Sequence, residues 1–340
     1  MRIFWLFRSN LKSFEYYHKY STIEEFEKKC HDYYMLLPIW LLRNDYIDAA
    51  IIWRLSNKPV QKTINFIVDG KLYSQRWVSN FNEVFDYPSP EFSLFRGGFP
   101  EYDKVVSQKP KHFGKKLYLG TGRRIYPQYG GKYDVYLQED KRDFDPSKTC
   151  LPFYKTASPY IFHPMNKVEI KYDICWPANF TQHKYKGQDF FMNIIGHCPN
   201  LKKLKIIHCG NKPEVGKKMA EKYNITNIKF AGHVDRPTLN KYLNQSKFGI
   251  CLSNQRDGCP RVVTEILMSG TPLMVRKTTR LLPYYKQRGV VGFNDNNIIP
   301  NIMRGFTKWA GLKLDLNNAI KDDLSFENIC QKNIDLWKKI

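Results

Sequence analysis

Short apolar runs alternate with amphipathic stretches along the C-terminal half of the chain. The predicted strands are 171–176, 204–210, 228–232, 248–253 and 271–275, and the predicted helices are 188–198, 213–223, 237–244 and 261–268. Apolar runs of this length, separated by short helices, indicate a parallel sheet that is covered on both faces. Because crossovers between parallel strands are right-handed, this half is expected to be Rossmann-like.

The N-terminal half contains the same two kinds of segment with longer loops between them. Its predicted strands are 3–7, 49–53, 64–68, 92–95, 116–119 and 133–137, and its predicted helices are 23–35 and 74–85. Residues 143–165 are rich in Pro, Ser and Tyr and predict a linker, and a last helix is predicted over 326–339. A chain of 340 residues is long enough for two domains. We therefore expect domains at 1–165 and 166–310, and a helical segment at 311–340 that packs back toward the first domain.

The chain is strongly basic, with 54 Lys and Arg against 32 Asp and Glu and a net charge of +22. An anionic small ligand, an anionic membrane surface and a nucleic acid each explain such a charge, and so does a lysine-rich surface without a specific partner. The sequence has no RRM, KH or zinc-finger signature, which disfavours a nucleic acid as the partner.

The eight cysteines form no C-x-x-C pair and show no zinc-site spacing. Several lie in apolar runs, as Cys175, Cys209 and Cys251 do, where a reduced cysteine acts as a small buried hydrophobe. The first eight residues predict a buried strand rather than a signal peptide, and no apolar run reaches the roughly 20 residues that span a bilayer. These features predict a cytoplasmic protein, either free or peripheral to a membrane.

The segment 254–272 carries the sharpest candidate chemistry. Asp257 is followed by seven residues and then Glu265, at the point where a predicted strand ends and a predicted helix begins. In an open α/β sheet, ligands bind at this carboxyl end of the strands. The spacing alone leaves open a plainer alternative, in which Asp257 is a solvated helix cap and Glu265 is a surface residue.

The residues between these two carboxylates suit a diphosphate. Gly258 lets the backbone approach a ligand closely, and Pro260 is compatible with the first position of a helix. The unpaired N–H groups of a first helical turn, together with the helix dipole, attract anions. Glu265 is predicted about one turn further on, beside an apolar stripe, where its carboxylate needs hydroxyl or N–H partners. A ribose diol is a suitable partner.

Five sequence elements follow one another in a recognisable order. They are Lys186-Gly187, the strand that ends at Gly210, Phe230-Ala-Gly-His-Val234, the Asp257-x7-Glu265 spacing, and Glu265-Ile-Leu-Met-Ser-Gly-Thr-Pro272. Through them, residues 171–292 resemble the nucleotide-sugar-binding domain of the retaining GT-B glycosyltransferases, especially glycosyltransferase family 4 (group 1). The resemblance implies an α/β chain with the GT-B fold, in which two Rossmann-like domains face each other across a cleft.

The resemblance also implies roles for individual residues. Among the implied catalytic residues, Glu265 binds the ribose hydroxyls of the donor, Asp257 lies by the donor sugar, and Lys186 neutralises the leaving diphosphate. The implied substrate-binding residues are Gly187, Lys184, Gly210, His233, Val234, Arg256, Gly258, Cys259, Pro260 and Arg261. His233 and Val234 are expected near the base, and no metal or other cofactor is implied.

Two positions depart from the family pattern. Asp257 stands where the family usually has Glu, and is one methylene shorter. The family's Arg before the Lys-Gly pair is absent, and His183 and Lys184 are present instead, although Lys lacks the bidentate fork of Arg. One hypothesis is that Arg256 or Arg261 compensates.

The leading interpretation is an enzyme, a glycosyltransferase that moves a sugar from a nucleotide-diphosphate-sugar donor to a glycan, lipid-linked or protein-linked acceptor. Retention of anomeric configuration and independence of metal ions are implied by the resemblance. Two alternatives stay open. The first alternative is a basic nucleic-acid-binding or DNA-modifying GT-B protein, and the second is a GT-B-like module without catalysis.

Overall fold

The computed structural model describes the chain in two compact units. The described residues are 1–8, 11–56, 58–97, 99–120, 133–139, 144–180, 186–254, 260–278, 289–309, 312 and 325–339. The first unit comprises Met1–Lys155 and Cys330–Ile340, and the second comprises Thr156–Ile329.

The first unit is built on one eight-stranded sheet. Its strands are β1 (Arg2–Arg8), β2 (Ala49–Leu55), β3 (Lys62–Val68), β4 (Lys71–Val78), β5 (Phe92–Arg96), β6 (Lys115–Gly120), β7 (Val135–Gln138) and β8 (Cys150–Pro152). They lie in the order β3-β4-β2-β1-β5-β6-β7-β8. Every neighbouring pair is parallel except β3 and β4, which form an antiparallel hairpin at one edge.

The helices of this unit follow the amphipathic segments. They are α1 (Leu11–Tyr17), α2 (Ile23–Lys29), α3 (Tyr33–Arg43) and α4 (Pro100–Gln108), with 3-10 turns at Phe81–Asp86 and Pro110–Phe113. One predicted helix, 23–35, is divided in two. Thr22 accepts a hydrogen bond from the Glu25 N–H to cap α2 (3.1 Å), and Asp32 accepts one from the Tyr34 N–H to begin α3 (3.2 Å).

The predicted helix at 74–85 is wrong. Most of it belongs to strand β4 and to the 3-10 turn that follows. The physical reason is the dipeptide Asp69-Gly70, which joins β3 to β4. Both residues have positive φ, 49° and 81°, as a two-residue hairpin turn requires. This turn sets the pairing register of β4 with β3. Hydrogen bonding between the strands then determines the structure of β4, although its apolar spacing also fits a helix.

The second unit has a six-stranded sheet in which every pair of neighbours is parallel. Its strands are β9 (Tyr172–Pro177), β10 (Ile206–Cys209), β11 (Ile228–Phe230), β12 (Ser246–Cys251), β13 (Leu273–Arg276) and β14 (Val290–Phe293), in the order β11-β10-β9-β12-β13-β14. Its helices are α5 (Gln188–His197), α6 (Pro199–Lys202), α7 (Pro213–Lys222), α8 (Arg236–Asn244), α9 (Arg261–Met268) and α10 (Ile298–Trp309). The alternation of strands and helices predicted from the sequence is confirmed.

Both faces of this second sheet are covered. Along β9, Ile174 and Trp176 belong to one buried apolar cluster, and Cys175 between them belongs to the other. Successive strand residues point to opposite faces, so one strand contributes to both cores. None of the helices in the described part of the chain is long and apolar enough to cross a bilayer.

The second unit begins ahead of β9. Ala157, Ile161 and Phe162 pack into one of its two cores, and the His163 carbonyl accepts hydrogen bonds from Asn240 (3.2 Å) and Asn244 (3.1 Å) of α8. The boundary therefore lies between Lys155 and Thr156, within the segment 143–165 that the composition predicts as a linker.

The last helix, α11 (Phe326–Trp337), carries the chain back to the first unit. Asn333 is fully buried, accepts a hydrogen bond from the Tyr154 N–H (3.0 Å) and donates to the Tyr154 carbonyl (2.8 Å). It also donates to the hydroxyl of Tyr33 in α3 (2.9 Å). One amide side chain thus fixes the end of the chain to the first unit.

Candidate functional site

A cavity of about 210 Å³ opens at the carboxyl ends of strands β9, β10 and β12. All of its lining residues belong to the second unit. Seven of the residues singled out from the sequence line it together: Lys186, Gly210, His233, Val234, Pro260, Arg261 and Glu265. They come from the segments that follow four neighbouring strands, including the start of helix α9, and the parallel sheet brings these segments to one edge.

Lys186 reaches the cavity because of the backbone at Gly187. Gly187 is the residue before α5 and has φ of 72°, in the left-handed region. It lies directly against the end of β12, so that a Cβ at this position would be 2.6 Å from the Leu252 carbonyl oxygen. Gly187 itself does not line the cavity, and its role is to place its neighbour.

Gly210 serves as close packing between two strand ends. A Cβ there would collide with the carbonyl group of Ala178, which follows β9. The Gly210 N–H donates to the Gly232 carbonyl (2.8 Å), and the Ala178 N–H donates to the Cys209 carbonyl (3.0 Å). The absence of a side chain at Gly210 lets the loops after β9, β10 and β11 meet at the cavity wall.

Helix α9 points its amino terminus into the same cavity. Pro260, a residue type compatible with the first helical position, is the residue before the helix and has extended backbone (ψ 123°). It offers no side-chain acceptor, and no described residue accepts from the N–H groups of Arg261 and Val262. Two unpaired N–H groups and the helix dipole make this wall attractive to an anion.

Glu265 lies on the cavity wall one turn into α9 and is only 4% exposed. Nη1 of Arg236 lies 3.0 Å from its Oε1 and 3.1 Å from its Oε2. The alternative of a surface carboxylate is therefore wrong. The sequence predicts that this buried group needs hydroxyl or N–H partners, and the structure supplies one of them from the protein.

Arg236 is a charged residue of the cavity wall that was not predicted from the sequence. It is the first residue of α8, which Asp235 caps by accepting from the Thr238 N–H (2.8 Å). Hydrogen bonds from Thr238 lower the pKa of the Asp235 carboxyl. One local feature of the sequence could have pointed to this arginine. It directly follows the capping residue Asp235 and lies two positions beyond Val234, the predicted contact with the base.

Five of the residues predicted from the sequence lie outside the described residues: Lys184, Arg256, Asp257, Gly258 and Cys259. The expected contact of Asp257 with the donor sugar therefore stays a prediction, as does compensation by Arg256. Arg261 is exposed on the cavity wall, at the helix start where an anion is expected.

Behind the cavity, a histidine is enclosed by aromatic rings. His208 of β10 is fully buried, and its ring lies 4.9 Å from Trp176, 4.6 Å from Phe180 and 5.6 Å from Phe230. Burial lowers its pKa to about 4, and the backbone of Ala178 only partly offsets this. His208 is therefore a neutral core residue at pH 7, whereas Trp176 extends from the same cluster to the cavity.

Comparison with known structures identifies the class of fold. The chain is similar to sucrose-phosphate synthase from Thermosynechococcus elongatus (12% identity, TM-score 0.68, covering 100% of this chain and 99% of that one). It is also similar to the trehalose-6-phosphate synthase OtsA (11%, 0.64, 100% and 99%) and to Anabaena HepE in complex with UDP and glucose (10%, 0.63, 100% and 100%). The predicted GT-B fold, with two Rossmann-like domains, is confirmed.

A sequence comparison with protein-family models narrows the likeness to one family over part of the chain. Residues 173–294 match the model for glycosyl transferases group 1, which spans the strands and helices that form the cavity. No curated protein sequence matches the chain.

Proposed function

We propose that this protein is a glycosyltransferase that moves a sugar from a nucleotide-diphosphate-sugar to a glycan, a lipid-linked or a protein-linked acceptor, with retention of configuration. The observation that carries the proposal is the convergence of Lys186, the amino terminus of α9 and the buried Glu265 on one cavity. A cation and a set of amide donors suit a diphosphate, and a carboxylate suits the hydroxyls of a ribose.

Each wall then has a distinct task. The N–H groups of Arg261 and Val262 donate to diphosphate oxygens, and Lys186, which lines the same cavity, supplies positive charge near them. Glu265 accepts from the ribose hydroxyls, and His233 and Val234 border the base.

The chemistry follows from where charge develops. Breaking the bond between the sugar and the diphosphate places negative charge on the leaving oxygen. Fixed N–H dipoles and a lysine stabilise that charge most effectively where they need no reorganisation during the reaction. We propose that these protein groups suffice without a metal ion, and that Asp257 stays a candidate for contact with the transferred sugar.

The state of the cysteines is the basis for proposing a cellular compartment. All seven described cysteines, Cys30, Cys150, Cys175, Cys198, Cys209, Cys251 and Cys330, are free thiols. Free thiols suit a reducing compartment, so we propose a cytoplasmic enzyme, with the charge of +22 serving an anionic acceptor or membrane surface.

Ligand-dependent unfolding tests the proposal. UDP-, GDP- and ADP-sugars are added in thermal-shift assays, with and without EDTA. A donor at 100 times its Kd should stabilise the fold by about 2.7 kcal/mol, and EDTA should leave the shift unchanged. Release of the nucleoside diphosphate is then followed with the donor that binds. If duplex DNA stabilises the protein and none of the nucleotides does, the protein is a nucleic-acid-binding protein instead. If the protein binds a donor but turns it over with none of the acceptors offered, it is a module without catalysis.

A further inference from the structure

The ion pair between Arg236 and Glu265 has an unusual geometry. A single nitrogen, Nη1, faces both carboxylate oxygens at 3.0 and 3.1 Å. An arginine commonly binds a carboxylate through two parallel N–H···O bonds from two nitrogens. Here no described residue hydrogen-bonds to Nε or Nη2 of Arg236. The guanidinium therefore contacts Glu265 by one corner only.

The two partners differ in their exposure. The Glu265 side chain is 5% exposed, and that of Arg236 is 31% exposed. A carboxylate this deeply buried is strongly unfavourable without a cationic or N–H partner, whereas the arginine retains contact with water. The pair is therefore best understood as an arginine at the cavity edge that permits a charged carboxylate inside the wall.

The carboxylate retains capacity to accept. An ionised carboxylate has about four acceptor positions, and Nη1 approaches one side of the group. Each of the two oxygens retains an acceptor position away from Nη1, on opposite flanks of the carboxylate, and a hydroxyl of a vicinal diol can donate to one of them. A carboxylate that rotates freely presents that pair of positions only part of the time.

We propose that Arg236 is a positioning residue that holds Glu265 as the acceptor for a ribose diol, and so sets the preference of this cavity for ribonucleotides over deoxyribonucleotides. This inference rests on the proposed function. It assigns a role to a residue outside the sequence motifs, and it places nucleotide discrimination in an ion pair between α8 and α9.

Two other roles for Arg236 make different predictions. If Arg236 only stabilised the fold, its removal would lower the melting temperature without changing which nucleotide is preferred. If Arg236 bound the ligand independently through Nε and Nη2, its removal would weaken every nucleotide even after Glu265 had been neutralised.

Calorimetric titration with UDP and 2′-deoxy-UDP distinguishes the three roles. The proteins compared are the wild type, Arg236→Met, Glu265→Gln and the double variant, each checked for folding by circular dichroism. We expect the wild type to prefer UDP by about tenfold or more, the range for a hydrogen bond to a charged group. In Arg236→Met that preference should fall to about threefold or less, and in the double variant UDP should bind within about a factor of two of Glu265→Gln.

Arg304→Met is the matched control. Arg304 lies on α10 in the same unit, donates to Asn301 (2.7 Å) and does not line the cavity, so its variant should retain the full preference for UDP. The proposed role of Arg236 is overturned if Arg236→Met prefers UDP over 2′-deoxy-UDP as strongly as the wild type does. It is also overturned if the losses of UDP affinity from the two single substitutions add in the double variant. A wild type that binds none of UDP, GDP and ADP instead contradicts the proposed function itself.

Discussion

Gly187 lies directly against Leu252, the residue that follows strand β12, at a distance that leaves no space for a side chain. A Cβ on Gly187 would be 2.6 Å from the Leu252 carbonyl oxygen and 2.8 Å from its Cβ. The contact joins the loop that carries Lys186 to the strand end beside the cavity. Placement of the lysine therefore depends on a residue that cannot itself bind through a side chain.

Replacing Gly187 with Ala should destabilise the protein by two separable effects. The left-handed backbone (φ 72°) costs a non-glycine residue about 1–2 kcal/mol, and forcing a methyl group against Leu252 adds about 1–3 kcal/mol. Urea unfolding should therefore show a total loss of roughly 2–5 kcal/mol in the free energy of unfolding.

Gly232→Ala is the control, because the chain offers a second glycine with the same φ of 72° and more space. A Cβ at Gly232 would meet only the Pro213 Cγ, at 3.8 Å. It should cost the backbone term alone, about 1–2 kcal/mol. Equal losses in the two variants would show that the contact with Leu252 is unimportant.

Lys186→Met should reduce the rate of sugar transfer more than it reduces donor binding. Negative charge on the diphosphate grows as the bond to the sugar breaks, so a neutralising lysine contributes most in the transition state. We expect kcat to fall by about 100-fold, as for the loss of one donor at a developing oxyanion, with a smaller change in KM. Steady-state release of the nucleoside diphosphate measures both constants.

The comparison for this variant is Lys218→Met, which removes an exposed lysine of α7 outside the cavity and should leave kcat unchanged. An unchanged kcat in Lys186→Met would remove Lys186 from the reaction, even if the protein still bound its donor.

Elements with strong local patterns could be predicted from the sequence. Helix α9 begins and ends where the apolar stripe predicts, at Arg261 and Met268, and strands β9 to β13 differ from the five predicted strands by only a few residues at each end, whereas β14 was not predicted. Alternating strands and helices carry this information locally, because each strand needs apolar residues on both faces.

Other features depend on residues distant in sequence. Arg236 and Glu265 are 29 residues apart, and they meet because both helices start at the same edge of the sheet. Strand β4 pairs with β2 and β3, and no local spacing can specify that partnership. A motif search finds candidate ligand-binding residues such as Glu265, but it does not find Arg236, which contacts Glu265 from a distant position in the sequence.

Glu265→Gln should lower donor affinity or turnover by about tenfold or more, because an amide accepts ribose hydroxyls more weakly than a carboxylate does. The fold should persist, since glutamine has almost the same shape and Arg236 can be hydrated at the cavity edge. Titration with the donor measures the affinity, and a melting curve confirms folding.

An equivalent change at a residue that does not line the cavity is Glu27→Gln. Glu27 also forms an ion pair with an arginine, Arg43, at 2.7 Å, but in the first unit. That variant should lose some stability and retain donor kinetics. Unchanged kinetics in Glu265→Gln would exclude Glu265 from the site.

The aromatic enclosure of His208 should make the protein less stable in mild acid. Because its pKa in the folded state is about 4, against 6.5 for an unperturbed histidine, the unfolded chain binds a proton that the folded chain excludes. Stability from this group is complete above pH 6.5 and is lost as the pH falls toward 4, by about 2 kcal/mol at pH 5. Urea unfolding at pH 7.5 and pH 5 should show this loss in the wild type.

His208→Phe preserves the aromatic packing against Trp176 and should remove most of the pH dependence of stability. His197→Gln, at an exposed histidine of α5, should retain that pH dependence. If the His208→Phe variant loses as much stability between these two pH values as the wild type, acid sensitivity has another origin and the histidine is already solvated in the folded protein.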